Sequence, residues 1–285
     1  MIKVGQYQAF ILETGEFWLD GGAVFGIIPK ALWSKRVPSD ERNRVRLAVR
    51  CLLLVGADRI ILVDTGLGDR YNAKLQEIYR INPAGRTLRG ALSETDVSPE
   101  AVTDVVITHL HFDHCGGALE YLDGEARPVF PHAVYHVQRA NYAWALKPCA
   151  LDRNSYIPAN FLPLETMGRL RLLDGTAELA PGIQMLVTHG HTPGLQSVLV
   201  HDPAQPLFFG ADLFPCSNHL QPIWISAFDL DPVRMVADKQ HFLTRIPAEN
   251  WRLVFPHDPQ IAVAAVTRNT VCDEIEIKPL LMVNQ

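Results

Sequence analysis

Ten residues constrain this chain more than any other stretch: Thr108-His109-Leu110-His111-Phe112-Asp113-His114-Cys115-Gly116-Gly117. Three imidazoles and a carboxylate fall within six positions. Val105-Val106-Ile107, just before them, reads as a short buried strand of β-branched residues. Gly116-Gly117, just after them, allows a sharp turn. The polar residues therefore sit on a loop at a strand end, where a rigid scaffold can present chemistry. Neutral imidazole and carboxylate are the usual ligands of zinc and similar divalent ions. His109 and His111, two apart, point the same way if the backbone is extended. Asp113 and His114 follow a bend and face elsewhere, so one loop can serve two metals. Scattered surface histidines would not give this density in a chain with only 11 of them.

At 285 residues the chain fits one large domain or two small ones. Hydrophobic residues make up 48%, enough for a sizeable core. The 26 basic and 31 acidic residues give a formal charge of −5, with no basic patch to meet a nucleic acid. Cys51, Cys115, Cys149, Cys216 and Cys272 are dispersed, odd in number and form no Cys-x-x-Cys, which fits a reducing compartment. The segment from Met1 to Tyr7 lacks the apolar core of a signal peptide. No apolar run approaches the ~20 residues needed to cross a bilayer. The expectation is a soluble, cytoplasmic protein with neither nucleic acid nor membrane as partner.

Along the chain, residues 4–13 alternate as a strand does. Asp20 to Trp33, with three glycines, a proline and exposed-looking aromatics, reads as a structured loop. It is either a flap packed on the core or a lid, pocket wall or homodimer contact. Leu47–Val55 and Ile60–Val63 read as paired strands turning at Gly56-Ala57-Asp58. Residues 70–80 look helical and 81–97 read as a polar loop. Ser98-Pro99-Glu100 starts a helix. A helical turn after Gly117, a strand near Val129–Val137 and a helix Gln138–Leu146 follow; residues 147–166 read as irregular. Strands are expected at Ile183–Val187, Leu195–Val200, Leu207–Phe209 and Leu253–Phe255, with a helix over Pro232–Arg245. His132 and His136 read as structural. Pattern alone gives a mixed α/β protein.

The spacing His109-x-His111-x-Asp113-His114 resembles the signature of the metallo-β-lactamase superfamily. Four more segments match in order: Val63-Asp64-Thr65-Gly66, Gly190-His191-Thr192-Pro193-Gly194, Gly210-Ala211-Asp212 and Pro256-His257-Asp258. The resemblance implies a four-layer αββα sandwich of two mixed β-sheets with helices outside. It implies a single domain over residues 1–285, built of two pseudo-halves split near residue 170. It places His109, His111 and His191 on a first metal and Asp113, His114 and His257 on a second, with Asp212 bridging. Asp64 would support a ligand histidine from behind, and His189 would be left at the rim. Zinc is the default for so nitrogen-rich a site, and iron, manganese or cobalt also suit it.

Such a site implies hydrolysis by attack of a metal-bound hydroxide, so Cys115 reads as packing rather than as a nucleophile. All seven ligand positions are filled, which argues against a decayed scaffold, and a mononuclear iron oxygenase would not need them all. Aspartate at the bridge speaks against thiolate-ligated zinc β-lactamases. The 28 residues after His257 leave no room for the helical domain of glyoxalase II. The flap segment resembles that of the lactonase branch, and Phe25, Trp33, Phe112, Phe214 and Trp224 suit a neutral, partly apolar substrate. These features resemble N-acyl homoserine lactone lactonases, which implies lactone opening and quorum quenching. The alternative is a phosphotriesterase or aryl esterase like methyl parathion hydrolase. One position departs from the lactonases: Pro215 stands where they carry a tyrosine. A lactonase-like subgroup instead has a histidine seven residues after the aspartate, which makes His219 a candidate to contact the substrate or the leaving alkoxide. Asp113 is the other candidate to pass a proton to the leaving oxygen.

Overall fold

The computed structural model describes residues 1–82, 84–269 and 274–283; Cys272 lies outside the described residues. The chain opens with β1 (Ile2–Val4), β2 (Tyr7–Asp20), β3 (Arg44–Val55), β4 (Ile60–Val63) and β5 (Asp104–Val106). A separate hairpin, β6 (Leu119–Leu122) and β7 (Glu125–Pro128), precedes β8 (Val134–Gln138) and β9 (Leu170–Leu173). These form a seven-stranded sheet in the order β1-β2-β3-β4-β5-β8-β9, antiparallel as far as β4 and parallel beyond it. The chain then changes sheet. β10 (Ala177–Ala180), β11 (Ile183–Thr188), β12 (Leu195–Val200), β13 (Leu207–Phe209), β14 (Arg252–Val254), β15 (Ile261–Arg268) and β16 (Ile275–Met282) lie in sequential order. Only β13 and β14 pair in parallel there.

The run Leu47–Val55 is apolar at nearly every position because β3 is covered on both faces. Leu52 and Leu54 point between the sheets, where they meet Val198, Val200 and Phe209. Cys51 and Leu53 point outward, to the cluster that holds Leu88, Leu92, Tyr142 and Ala145. Outside the second sheet, the helix Pro232–Ala248 starts on Asp231, whose carboxylate caps the Arg234 amide at 2.9 Å. It buries Met235, Phe242, Leu243 and Ile246, spaced as one helical face, against Phe208, Trp251 and Leu253. The architecture is two mixed sheets face to face with helices outside, the arrangement that the resemblance implies. No helix among the described residues is long and apolar enough to cross a membrane.

Several expected boundaries shift. The first strand is broken by a turn at Gly5-Gln6, and β2 continues to Asp20. Asp20 to Trp33 is not a loop but two short helices, Gly21–Phe25 and Lys30–Trp33, the first capped by the Asp20 carboxylate. Its Phe25 and Trp33 are 1% exposed, because apolar rings find more contact beneath the flap than on it. The polar stretch 81–97 contains the helix Leu88–Leu92. The helical turn expected after Gly117 comes before it, at Phe112–Cys115, and a hairpin follows. Residues 147–166 are not wholly irregular but hold the helix Leu162–Thr166. Gly116-Gly117 form a single 3₁₀ turn, Gly116–Ala118, and also allow close approach: a Cβ on Gly116 would stand 1.9 Å from the Leu67 carbonyl oxygen.

One buried polar staple joins the sheets beside the motif loop. Gln196 on β12, with no exposed surface, donates through Nε2 to the carbonyls of Ile107 and His136 at 2.8 and 3.0 Å. Its Oε1 accepts from Gln138 at 3.0 Å, and its backbone amide donates to Thr108 at 3.0 Å. Replacing it by an apolar residue of like size takes the donor from the buried Ile107 carbonyl and the acceptor from one N–H of the Gln138 amide, while the His136 carbonyl keeps the Ile107 amide. Gln196→Met is therefore expected to lose about 2–4 kcal/mol of stability, read from the urea midpoint of unfolding.

Candidate metal centre

The strands deliver the motif residues to one edge. Asp64 follows β4 and the 109–114 segment follows β5; these strands are parallel, with Val63 opposite Val106. Asp212 follows β13 and His257 follows β14, again parallel, with Phe209 opposite Val254. β11, antiparallel to β12 and so aligned with β13, brings His191 to the same edge. Carboxyl ends of parallel strands are where open sheets collect their sites. Asp64 and Ala211 both hold left-handed backbone, φ 60° and 48°, a strain that gathers where surrounding structure over-determines a site.

His109 Nε2 lies 3.0 Å from His111 Nδ1, which lies 3.2 Å from His191 Nε2. Asp212 Oδ2 stands 3.3 Å from His191 Nε2 and 3.9 Å from His109 Nε2. Its other oxygen, Oδ1, is 3.3 Å from His114 Nε2 and 3.1 Å from His257 Nε2. Asp113 Oδ2 is 3.7 and 3.6 Å from those same two nitrogens. Ligands placed tetrahedrally around a zinc-sized ion at about 2.0–2.1 Å stand about 3.4 Å apart. The cluster thus offers two adjacent sets of matching spacing: three imidazoles and one oxygen, then two imidazoles and two oxygens. One carboxylate faces both.

What lies behind each ring fixes which nitrogen is bare. His257 Nδ1 donates to the Ala48 carbonyl at 2.7 Å, so its Nε2 is unprotonated when the ring is neutral. His114 Nδ1 is 2.8 Å from Asp64 Oδ2, and His191 Nδ1 is 2.7 Å from Asp229 Oδ1. Thr108 gives its hydroxyl proton to Asp64 at 2.9 Å, leaving its oxygen to accept from His109 Nδ1 at 3.1 Å. Carboxylate and carbonyl partners of this kind orient metal-binding histidines and raise their basicity.

The electrostatics are those of a cation site. Burial, then the neighbouring imidazoles, push His109 and His111 well below the ordinary histidine value, so they stay neutral. Burial also opposes charge on His114, but Asp212, Asp113 and Asp64 outweigh it and raise the imidazole well above that value. Burial likewise opposes charge on His191, and the Asp229 hydrogen bond and Asp212 reverse the balance. Asp212, despite burial, is held well below the carboxylate range by His114 and His257. A metal ion is the natural replacement for the protons these groups share.

All seven expected ligands converge, and Asp64 stands behind His114. His189 does not join them: it is exposed, and its Nδ1 accepts the Gly194 amide at 3.1 Å, closing the turn. His136 pairs with Asp104 at 2.9 Å, away from the cluster. Cys115 is fully buried, its thiol raised well above the ordinary value by burial. Asp229 is the residue that sequence reasoning missed. It lies 38 positions from His191, and Phe228-Asp229-Leu230 carries no motif that would have marked it.

The cavity beside the cluster is lined by Phe17, Leu19, Val24, Leu47, Phe228 and Met235, with Asp113, Asp212, Asp229 and His219 among its polar groups. The expected pocket aromatics are elsewhere. Phe25, Trp33 and Trp224 stack behind Val24 and His219, Phe25 centring 5.3 Å from Trp33 and 5.6 Å from Trp224. Phe112 packs edge-on behind Phe17 at 5.9 Å. Phe214 lies in the core beneath the long helix. Large rings gain more from full burial than from a partly wet wall.

Fold and cluster together define the class. A family model described as the metallo-beta-lactamase superfamily matches residues 44–257, and the chain belongs to that family. It is 30% identical over 174 residues to an N-acyl homoserine lactonase of Bacillus cereus, across 55% of this chain and 60% of that protein. It is 30% identical over 169 residues to the N-acyl homoserine lactonase AttM of Rhizobium radiobacter, across 56% and 60%. The chain thus spans about 60% of the length of these curated relatives. Among solved structures, a protein described as a probable metal-dependent hydrolase from Staphylococcus aureus superposes with TM-score 0.88 at 24% identity, covering 98% of this chain and 100% of that one. AidC, described as a dizinc quorum-quenching lactonase in complex with a product, superposes with TM-score 0.78 at 23% identity, covering 99% and 97%. At such identities the likeness is one of fold.

The partners behind the rings generate a prediction. Asp229→Ala and Asp64→Ala are each expected to weaken metal binding 10–100-fold with the fold intact, measured by competition against a chromogenic chelator.

Proposed function

We propose that this chain is a metal-dependent hydrolase that opens lactone rings, its seven converging side chains holding two divalent ions. The observation that carries this reading is Asp212, whose two oxygens address separate histidine sets at 3.1–3.3 Å. His109, His111 and His191 would hold the first ion, Asp113, His114 and His257 the second, and Asp212 both. Zinc suits the nitrogen-rich set best. Bound there, the ions supply an activated water and Lewis-acid stabilisation of developing charge.

The chain's own residues do the rest. Asp64, Asp229 and the Ala48 carbonyl keep the imidazoles in the required tautomers. Asp113 lines the cavity, and on this reading its carboxylate takes the proton released by the attacking water and returns it to the leaving oxygen. Phe17, Leu19 and Leu47 exclude water and receive apolar groups. The lactonase names of the curated relatives support the lactone class and a role in quorum quenching. The shared interior of the two sheets supports reading residues 1–285 as one domain.

The test is hydrolysis of a panel by the metal-replete protein: acyl-homoserine lactones of several chain lengths, γ- and δ-lactones, paraoxon and an aryl ester. Lactone turnover that falls more than about 100-fold in His109→Ala is expected, beyond the cost of losing a partner behind a ligand. Turnover confined to paraoxon would replace the lactone reading by a phosphotriesterase. Silence on the whole panel with two ions bound would sink both substrate classes.

A further inference from the structure

His219 stands in the cavity wall on the short turn Ser217–Leu220 and is 2% exposed. Its Nε2 is 3.0 Å from the Val24 carbonyl oxygen. A carbonyl can only accept, so Nε2 carries the proton and Nδ1 presents a bare lone pair. That Nδ1 is buried and has no hydrogen-bond partner among the described residues. The ring is stacked on Phe25 at 5.4 Å and 19°, and Phe25 is itself clamped by Trp33 and Trp224, so the imidazole is not free to turn. Lys239, fully buried, donates to the carbonyls of Gln221 and Trp224 at 2.9 and 2.7 Å and fixes the segment that carries the histidine. Burial, with the Lys239 ammonium, pushes the imidazole down to about 4, so it is neutral at ordinary pH.

A buried acceptor held this firmly requires a donor. The cavity wall has little to offer it. The Ser226 hydroxyl is spent on the Ala23 carbonyl at 3.1 Å, and the Ser226 amide on Asp229 at 2.8 Å. Asp113, Asp212 and Asp229 are acceptors when ionised. The Phe228 amide is spent on the Ser226 hydroxyl at 3.1 Å, the His257 ring N–H on the Ala48 carbonyl at 2.7 Å, and the Cys216 thiol is a weak donor.

We propose that His219 Nδ1 accepts a hydrogen bond from an amide N–H of the substrate. The site would then select lactones that carry an acylamino group beside the ring over lactones of similar size without a donor. The inference rests on the lactone reading above. It also sets aside a role for His219 in protonating the leaving alkoxide, because the one proton on its neutral ring is held by Val24.

Three substrates test this with the metal-replete full chain: N-hexanoyl homoserine lactone, its analogue with CH2 in place of the amide N–H, and a γ-lactone bearing a plain alkyl chain. In the native protein, loss of the N–H is expected to lower kcat/KM by at least about 10-fold, since a site built around a hydrogen bond rejects an analogue that cannot make it. His219→Leu should bring the amide substrate down to the level of the CH2 analogue and leave the other two within about two-fold. Equal turnover of amide and CH2 analogue by the native protein would overturn the proposal. So would a parallel fall of all three substrates in a His219→Leu protein that keeps its metal. The native-protein comparison stands even if the variant does not fold. Failure to open any of the three would instead overturn the lactone reading, and this inference with it.

Discussion

Three imidazole nitrogens crowd one point in this protein: His111 Nδ1 lies 3.0 and 3.2 Å from the Nε2 atoms of His109 and His191. Everything at the open edge of the sandwich serves that confinement. Left alone, the rings would rotate apart or take up protons. Four of the rings have their far side tied: His257 to Ala48, His191 to Asp229, His114 to Asp64 and His109 to Thr108, while His111 packs edge-on against Tyr156. They cannot easily charge together, because they are buried and crowd one another. The carboxylates draw protons onto His114 and His191 instead, and a cation held between the rings would take their place. The scaffold's rigidity is what holds the rings together.

That rigidity is traceable to buried polar side chains in what are otherwise apolar layers. Arg50 on β3 donates to the carbonyls of Phe255 and Asp258 at 2.9 and 2.6 Å and so brackets His257. Gln196 does the same for the loop after β5. Ser226 links the flap, through Ala23, to Asp229 and thence to His191. A hydrogen bond inside a low-dielectric core is worth more, and its loss costs more, than one on the surface. The flap is therefore not a detached cover: its first helix shares a hydrogen-bonded path with the metal centre.

The sequence made the ligands legible and the cavity wall much less so. His109 to His114 advertise themselves because metal binding demands scarce residue types at fixed spacing. His191, Asp212 and His257 were found through the motifs that resemble the metallo-β-lactamase superfamily, and the structure shows that each follows a strand ending at the same edge. Asp229 was invisible: a carboxylate that touches a ligand from behind needs only to be near in space, and no local spacing records that. The aromatics failed for a related reason. Phe25, Trp33 and Trp224 had the right chemistry for a pocket, but their size drew them into a buried stack, leaving smaller Val24 and Leu47 to form the wall. Strands were read well where apolar runs were long, as in β3 and β12. The flap helices and Leu88–Leu92 were missed because helices of five residues or fewer complete barely one turn of periodicity.

The balance of charge around the cavity also bears on what it admits. Its polar wall carries three carboxylates and, among the described residues, no lysine or arginine. Two divalent ions held at the cluster would offset those carboxylates, so the charge of the walls alone does not sort substrates. That gives His219 its significance. In a cavity otherwise rich in acceptors, one more lone pair, uncharged and fixed by a stacked ring, distinguishes substrates by whether they bring a proton donor rather than by whether they bring charge.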